Sequence, residues 1–328
     1  MIRLTRVELR RLTSRRLTII GVAAVLIITA FLLFATWREA RPLSAAEQQQ
    51  NQAYFEQAQK DWQQNGAQYQ KDCEASYAQT PDPRPSLQEF CPGPPTIDQF
   101  GKPQTVFAEI MPGLLQGSSY LLVFIAFLIG ASFLGAEFSS GSIGNWLTFE
   151  PRRLRVYGSK LLGAAIGLVP VAVVITGILI LGTFLIVDQL GSTASTTSKV
   201  WGNLFETAGR VVLLTAVGAA LGSVVGLLLR HTAAAIGLVM GYIVIVEGVF
   251  GGFLQKTQPW LIRLNFDAFV GHGTTYYVEQ CTTGEGGSYN CNSVAKHLSF
   301  EHGAWYLSIA SVALILLGAL VFRRRDVN

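Results

Sequence analysis

Charge is what this sequence has least of. Only 14% of its 328 residues are Asp, Glu, Lys or Arg, against roughly a quarter in soluble domains. An ordinary water-soluble fold and a charge-rich disordered chain are both excluded. Histidine is scarce as well: His231, His272, His297 and His302 are the only four. No His-Glu-x-x-His, Cys-x-x-Cys or His-x3-His spacing occurs, so a zinc site has no ligand set. The one Gly-Lys pair, Gly101-Lys102, runs straight into Pro103, whereas a phosphate-cradling loop needs a Gly-rich turn ending in Gly-Lys-Ser/Thr. Gly117-Ser118-Ser119-Tyr120 offers a serine, but a nucleophile wants a base in reach and no span carries a mid-membrane histidine. Serine is common between membrane helices as a hydrogen-bonding group. The chain is therefore expected to be no enzyme by itself, with no metal and no bound cofactor. Its net charge of +4 is the sum of two opposite balances and is no nucleic-acid signature.

What is abundant is apolar side chain, half of the sequence, gathered in long blocks. About 20 apolar residues span the hydrocarbon core as a helix, and six stretches reach that length: 17–36, 114–135, 161–187, 205–229, 232–253 and 303–322. The first follows six arginines, which a cleaved signal peptide would also show. Its apolar run is longer than the 7–15 residues of a signal peptide and ends at Trp37-Arg38-Glu39, where an aromatic anchor suits a membrane interface. It is read as a retained first span. Six spans put both termini on one side, and the positive-inside rule selects the cytoplasm. That assignment gathers Arg3, Arg6, Arg10, Arg11, Arg15, Arg16, Arg152, Arg153, Arg155, Lys160, Arg230 and Arg323 to Arg325 inside, against the acids Glu8, Glu137, Glu150 and Asp326. The expectation is an all-α polytopic membrane protein. Residues 1–16, the 136–160 hairpin and the 323–328 tail are then cytoplasmic.

Three segments then fall outside: an extracellular insert at 37–113 between the first two spans, a loop at 188–204, and a segment at 254–302. In the insert, Ala45–Gln79 is glutamine-rich and helical in pattern, with Phe55, Ala58, Trp62, Tyr69, Cys73 and Tyr77 near the three- and four-residue spacing of one helix face. Residues Thr80–Pro103 hold seven of the twelve prolines and cannot continue a helix. The 254–302 segment shows Gly- and Asn-rich turns around Thr282–Asn292. All four cysteines (Cys73, Cys91, Cys281, Cys291) lie in these two segments. Of three possible pairings, Cys73–Cys91 with Cys281–Cys291 closes the shortest loops, and an oxidising exterior favours disulfides over a metal.

Two ionisable residues sit within spans, Arg210 and Glu247, and intramembrane charges are functional suspects. Both lie about 8–9 Å below the outer interface at a rise of 1.5 Å per residue. They can pair with each other, with Glu247 lining a cavity or locking an outer gate; alternatively Arg210 pairs with Glu206 one turn away. Three small-residue repeats, Gly163-x3-Gly167, Gly218-x3-Gly222-x3-Gly226 and Gly237-x3-Gly241, allow close helix approach. Packing inside one bundle is the simpler reading of each, a subunit interface or moving seam the functional one.

Between spans two and three the chain reads Glu137-Phe-Ser-Ser-Gly141-Ser142-Ile143, then Trp146-Leu147, then Pro151-Arg152-Arg153, then Lys160 opening the next span. Ser139 or Ser140 can cap a short helix that Pro151 must end. Ile143, Trp146 and Leu147 share one face, suited equally to a partner's groove and to lying on lipid with Trp146 as anchor. This run resembles the ABC-2 type permeases, the membrane subunits of ATP-driven exporters. The opening Glu8-Leu-Arg-Arg-Leu-Thr-Ser-Arg-Arg16 is also similar to the amphipathic helix that this family places before its first span, here residues 1–16, and the tail Phe322-Arg-Arg-Arg-Asp-Val327 to its usual ending. The resemblance covers the spans and termini but not the insert. It implies that Ser140–Phe149 is a coupling helix, with Glu137, Gly141, Ser142, Ile143, Trp146 and Leu147 in its contact region and either Arg152 or Arg153 filling the Pro-x-Arg position. It implies a re-entrant stretch near Gln258–Val270. It further implies a separate ATPase subunit carrying ATP and Mg, a second permease subunit, identical or related, and a path walled by spans two and five. Phe124, Phe127 and Phe250 are the candidate lining, suited to a hydrophobic or amphipathic drug, lipid or peptide as cargo. The competing expectation is a non-transporting membrane scaffold or sensor acting through 37–113.

Overall fold

The computed structural model describes residues 2–80, 84–253, 255–283 and 289–324. Helix α1 (Ile2–Thr13) is followed by α2 (Arg16–Ala40) and by the long α3 (Ala45–Gln79). Ser44 and Glu47 start α3 with a reciprocal capping box, the Ser44 amide donating to Glu47 Oε2 at 2.8 Å and the Glu47 amide to Ser44 Oγ at 3.4 Å. A proline-rich return carries only the single turns α4 (Leu87–Phe90) and Ile97–Phe100. Then come α5 (Phe107–Ser139), the eight-residue α6 (Ser142–Phe149), α7 (Arg153–Leu190) and α8 (Ser198–Leu229). Helix α9 (Thr232–Gly241) runs into a π-helical stretch, Tyr242–Phe250, and the single turn α10 (Gly251–Phe253). Last are α11 (Ile262–Val270), strands β1 (Thr274–Thr283) and β2 (Tyr289–Leu298), and α12 (Phe300–Arg324).

Among the described residues six helices are long and apolar enough to cross a membrane: α2, α5, α7, α8, the α9–π stretch Thr232–Phe250, and α12. The chain is thus a polytopic helical protein, with one two-stranded hairpin as its exception among the described residues. Several spans outrun their apolar cores because polar residues at their ends continue the helix. The expected 188–204 loop shrinks accordingly to 191–197, and the insert to 41–106. The 254–302 segment is also more regular than its turn residues imply. Its β-branched and aromatic runs pair as an antiparallel ladder with Cys281 directly opposite Cys291. Both disulfides are local, Cys73–Cys91 and Cys281–Cys291. The first staples α3 to its return, where Phe100 packs edge-on against Phe55 and Phe90 against Tyr77, so the aromatic stripe is partly the core of this small appendage.

Spans α5, α7 and α8 form the centre of the bundle, with α2, the α9–π span and α12 around them. The closest pairing is α5 with α8. A β-carbon added at Gly222 or Gly226 would overlap the Phe127 or Ala131 carbonyl of α5, and one at Gly130 the Ala219 carbonyl of α8. Gly163 and Gly167 of α7 give the same room to Glu8 and Leu12 of α1. Both repeats therefore serve packing within one chain. Gly237 and Gly241 meet nothing within 4 Å, on the span that the chain itself buries least.

Candidate functional site

Two polar constructions stand at opposite ends of the bundle. The first is built where α1, the end of α5, α6 and the start of α7 converge. On α1, Glu8, Arg11 and Leu12 share one helix face, and Arg15, the N-cap residue of α2, follows just beyond its end. The glycines of α7 let that face sink into the bundle, burying Glu8 and Leu12 to 1% and 0% exposure. Lys160 of α7 is also fully buried, and its ammonium donates to Glu8 Oε1 at 3.0 Å and to Glu137 Oε2. Glu137, at the end of α5, further accepts from Arg11 at 3.4 Å and Arg15 at 3.3 Å. One carboxylate is thereby neutralised by three cations. Among the described residues Glu8 hydrogen-bonds one cation, Lys160, and its Oε2 is buried without a hydrogen-bond partner. Burial raises the Glu8 carboxyl above the ordinary carboxylate range, opposed by the attraction of Lys160. Burial likewise lowers the Arg15 guanidinium, against the pull of Glu137.

Helix α6 docks on this cluster. Its Ile143 is buried. The Trp146 ring lies under the Arg11 guanidinium at 5.0 Å and the buried Lys160 ammonium at 5.4 Å, both in cation–π geometry. Gly141 supplies the left-handed turn (φ 70°) that lets the chain reverse from α5 into α6, and Ser142 Oγ donates to the Glu137 carbonyl. Phe149, at the far end of α6, is 88% exposed. Helix α6 begins at Ser142 with Gly141 as its N-cap, so neither Ser139 nor Ser140 caps it. Arg152 precedes the first turn of α7 and Arg153 opens it. The side chain of Leu147 and all of Arg325 lie outside the described residues. Glu8, Arg11, Arg15 and Lys160 all stand in the runs that carry the resemblance, but the motif reading gives them no role at a site. The signal that joins the first three is charge beside Leu12 on the inward face of amphipathic α1, continued by Arg15 at the start of α2.

The second construction surrounds α11. Arg210 and Glu247 make no ion pair with each other among the described residues; they stand at opposite ends of this short helix. The π-helical stretch carries about one extra residue per turn, so Tyr242 and Glu247, five apart, meet: Tyr242 Oη donates to Glu247 Oε1 at 2.9 Å. Together they cap α11, the Ile262 amide donating to Tyr242 Oη at 3.3 Å and the Arg263 amide to Glu247 Oε1 at 3.0 Å. At the other end Arg210 donates to the Val270 carbonyl at 3.1 Å and also to Glu206 at 3.0 Å. Each charge thus complements the dipole at its end of α11. Between them, Asp267 accepts from Gln116 at 2.6 Å and from Tyr120, both on α5. Gly303 of α12 allows close approach to the Asn265 carbonyl. Helix α11 therefore touches α5, α8, the π span and α12, as a keystone does. The expected stretch Gln258–Val270 is 3-10 helical to Trp260 and α-helical from Ile262. No ring contact joins Phe124, Phe127 and Phe250 among the described residues.

This geometry predicts the outcome of a charge swap. Arg210→Glu with Glu247→Arg places the wrong sign at each end of α11, so the double variant should lose about the sum of the single losses, roughly 1–2 kcal/mol each. Thermal unfolding in detergent checks it; rescue of either single variant by the other would restore direct pairing as the explanation.

A six-span helical bundle held by buried charge at one end and by a short keystone helix at the other defines a polytopic α-helical membrane protein. The chain belongs to the family described as "Protein of unknown function (DUF2705)", whose model matches residues 99–328. That match takes in α5 to α12 and hence both constructions, save the α1 face of the first. No curated protein and no solved structure matches the chain.

Proposed function

We propose that the chain is the membrane-spanning permease subunit of an ABC-2 type exporter, with α1, α6 and both termini in the cytoplasm and the 41–106 insert outside. The observation that carries this reading is α6: a short helix gripped by the bundle through Ile143 and Trp146, with the apolar Phe149 presented at its free end. A lever seated in a partner's groove needs that combination of rigid attachment and exposed apolar tip. A separate ATPase subunit would supply the groove, bind ATP and Mg, and drive the switch between inward- and outward-open states. The side assignment is supported by the α6 end of the bundle, which collects Arg6, Arg10, Arg11, Arg15, Arg16, Arg152, Arg153, Arg155 and Arg230. A second permease copy, identical or related, would cover the least buried span, where Gly237 and Gly241 leave the backbone open to close approach. The cargo would be a hydrophobic or amphipathic molecule, moved out of a bacterial plasma membrane.

Gentle extraction of the tagged chain followed by mass spectrometry of stoichiometric partners tests the reading. A Walker-motif ATPase at one copy per permease is expected. Phe149→Ala should weaken that association roughly 30-fold, as loss of an apolar anchor worth about 2 kcal/mol does, while leaving the unfolding temperature unchanged. Recovery of the intact chain without any ATPase would overturn the proposal and turn attention to the 41–106 insert as the working part of a scaffold or sensor.

A further inference from the structure

Beside the buried cluster, a cleft of about 530 Å³ opens where α1 meets α2. Its walls carry Arg11, Arg15 and Arg16 with Ser14, and its back is the end of α5. Glu137 also lines it, but only 3% of that side chain is exposed, whereas Arg11 and Arg15 show 40% and 25% of theirs. The carboxylates of the cluster are withdrawn and the guanidinium edges face out. With Lys160 behind, four cations stand against Glu8 and Glu137. The Arg16 guanidinium has no hydrogen-bond or ion-pair partner among the described residues. The first turn of α2 adds to the same sign, because its N-cap residue Arg15 provides no side-chain cap. The cleft is therefore built to attract an anion.

The surface around it identifies which kind. Leu17 forms part of the cleft wall and is 41% exposed, and Ile20 and Ile27 continue an exposed apolar surface along α2. A soluble phosphate would have no use for that continuation, whereas an acyl chain would lie along it. We infer that the cleft binds the headgroup of an anionic phospholipid, its phosphate among Arg11, Arg15 and Arg16 and its acyl chains against α2. Basic pockets at the ends of membrane helices recognise headgroups by the same chemistry. Arg11 also covers Trp146. A headgroup that draws on Arg11 and Arg15 therefore competes with Glu137 for the side chains that hold α6, which makes the lipid a candidate regulator of the position of α6.

Native mass spectrometry of the full chain tests this, with phosphatidylglycerol and phosphatidylcholine of matched acyl chains as probes. Both carry a phosphate, but only the first has a net negative charge. We expect phosphatidylglycerol to be retained at energies that strip phosphatidylcholine. Arg16→Ala should weaken it about fivefold and Arg16→Glu about thirtyfold, at roughly 1 kcal/mol per charge near the surface, with Arg16→Lys close to wild type. Arg16 lies outside the Glu137 network, so these variants should fold, and an unchanged unfolding temperature verifies it. Millimolar inorganic phosphate should leave the lipid in place. Equal retention of the two lipids, or wild-type affinity in Arg16→Glu, would overturn the site; displacement by inorganic phosphate would overturn the lipid as its source and assign a soluble phosphate instead.

Discussion

Replacing Lys160 by methionine should destabilise the protein by about 3–5 kcal/mol, the usual cost of leaving a buried charge without its partner. Methionine fills the same volume, so the loss isolates charge from packing. The two carboxylates should not suffer equally. Glu137 keeps Arg11 and Arg15, whereas Glu8 loses its one hydrogen-bonding cation. Adding Glu8→Gln to Lys160→Met should therefore recover more stability than adding Glu137→Gln. Acid should help the single variant as well. With the Glu8 carboxyl raised by burial, the folded state binds the proton more tightly than the unfolded chain does. Stability is then lost as pH rises from the ordinary carboxylate range through the raised value, and regained on acidification. The deficit of Lys160→Met should be smaller at pH 5 than at pH 8. Thermal unfolding of the detergent-purified variants, followed by monodispersity, would show it; a deficit independent of pH would argue that Glu8 keeps another counter-charge.

Gly222→Ala should be nearly as damaging although it adds a single methyl group. That methyl group would overlap the Phe127 carbonyl oxygen, and the obstruction is backbone, not the movable end of a side chain. The α5–α8 seam must then separate along its length, a loss at or above the 3 kcal/mol upper end of ordinary overpacking. Gly237→Ala is the matched control. It meets nothing within 4 Å, so in the isolated chain it should be neutral or stabilise by up to about 1 kcal/mol through helix propensity. A Gly237→Ala protein that unfolds like Gly222→Ala would show that loss of close approach is not what the second variant measures.

The spans were legible because a helix in hydrocarbon must satisfy its own backbone, which forces about 20 apolar residues into one run. Helix α3 was legible to the residue, since Ser44 with Glu47 and the prolines after Thr80 mark its two ends locally. The hairpin was not. Its center is Gly-rich, which reads as turn, while its ladder depends on matching two runs on either side. The roles of Arg210 and Glu247 lay further out of reach. Their similar depth suggested a direct pair, but depth along an axis says nothing of what lies between two helices, and here α11 does. Glu247 reaches α11 only because the local winding is π rather than α, and no single residue type encodes that. The charge cluster was half legible: Glu137 stands in a recognisable run, whereas its union with Lys160 and Glu8 joins residues 152 positions apart in sequence through glycines whose purpose appears only once α1 is docked.

One small contact sets how the insert relates to the rest. Lys102 Nζ donates to the Arg41 carbonyl at 2.9 Å, and just beyond it the Ser192 amide donates to the Thr105 carbonyl at 2.9 Å. The chain thus leaves the bundle and returns to it through one socket, fastened by a side chain on one side and by backbone on the other. What hangs from that socket, a helix of about 52 Å with its own disulfide, packs chiefly on its own return, so a change in its length should leave the unfolding of the neighbouring spans unaltered.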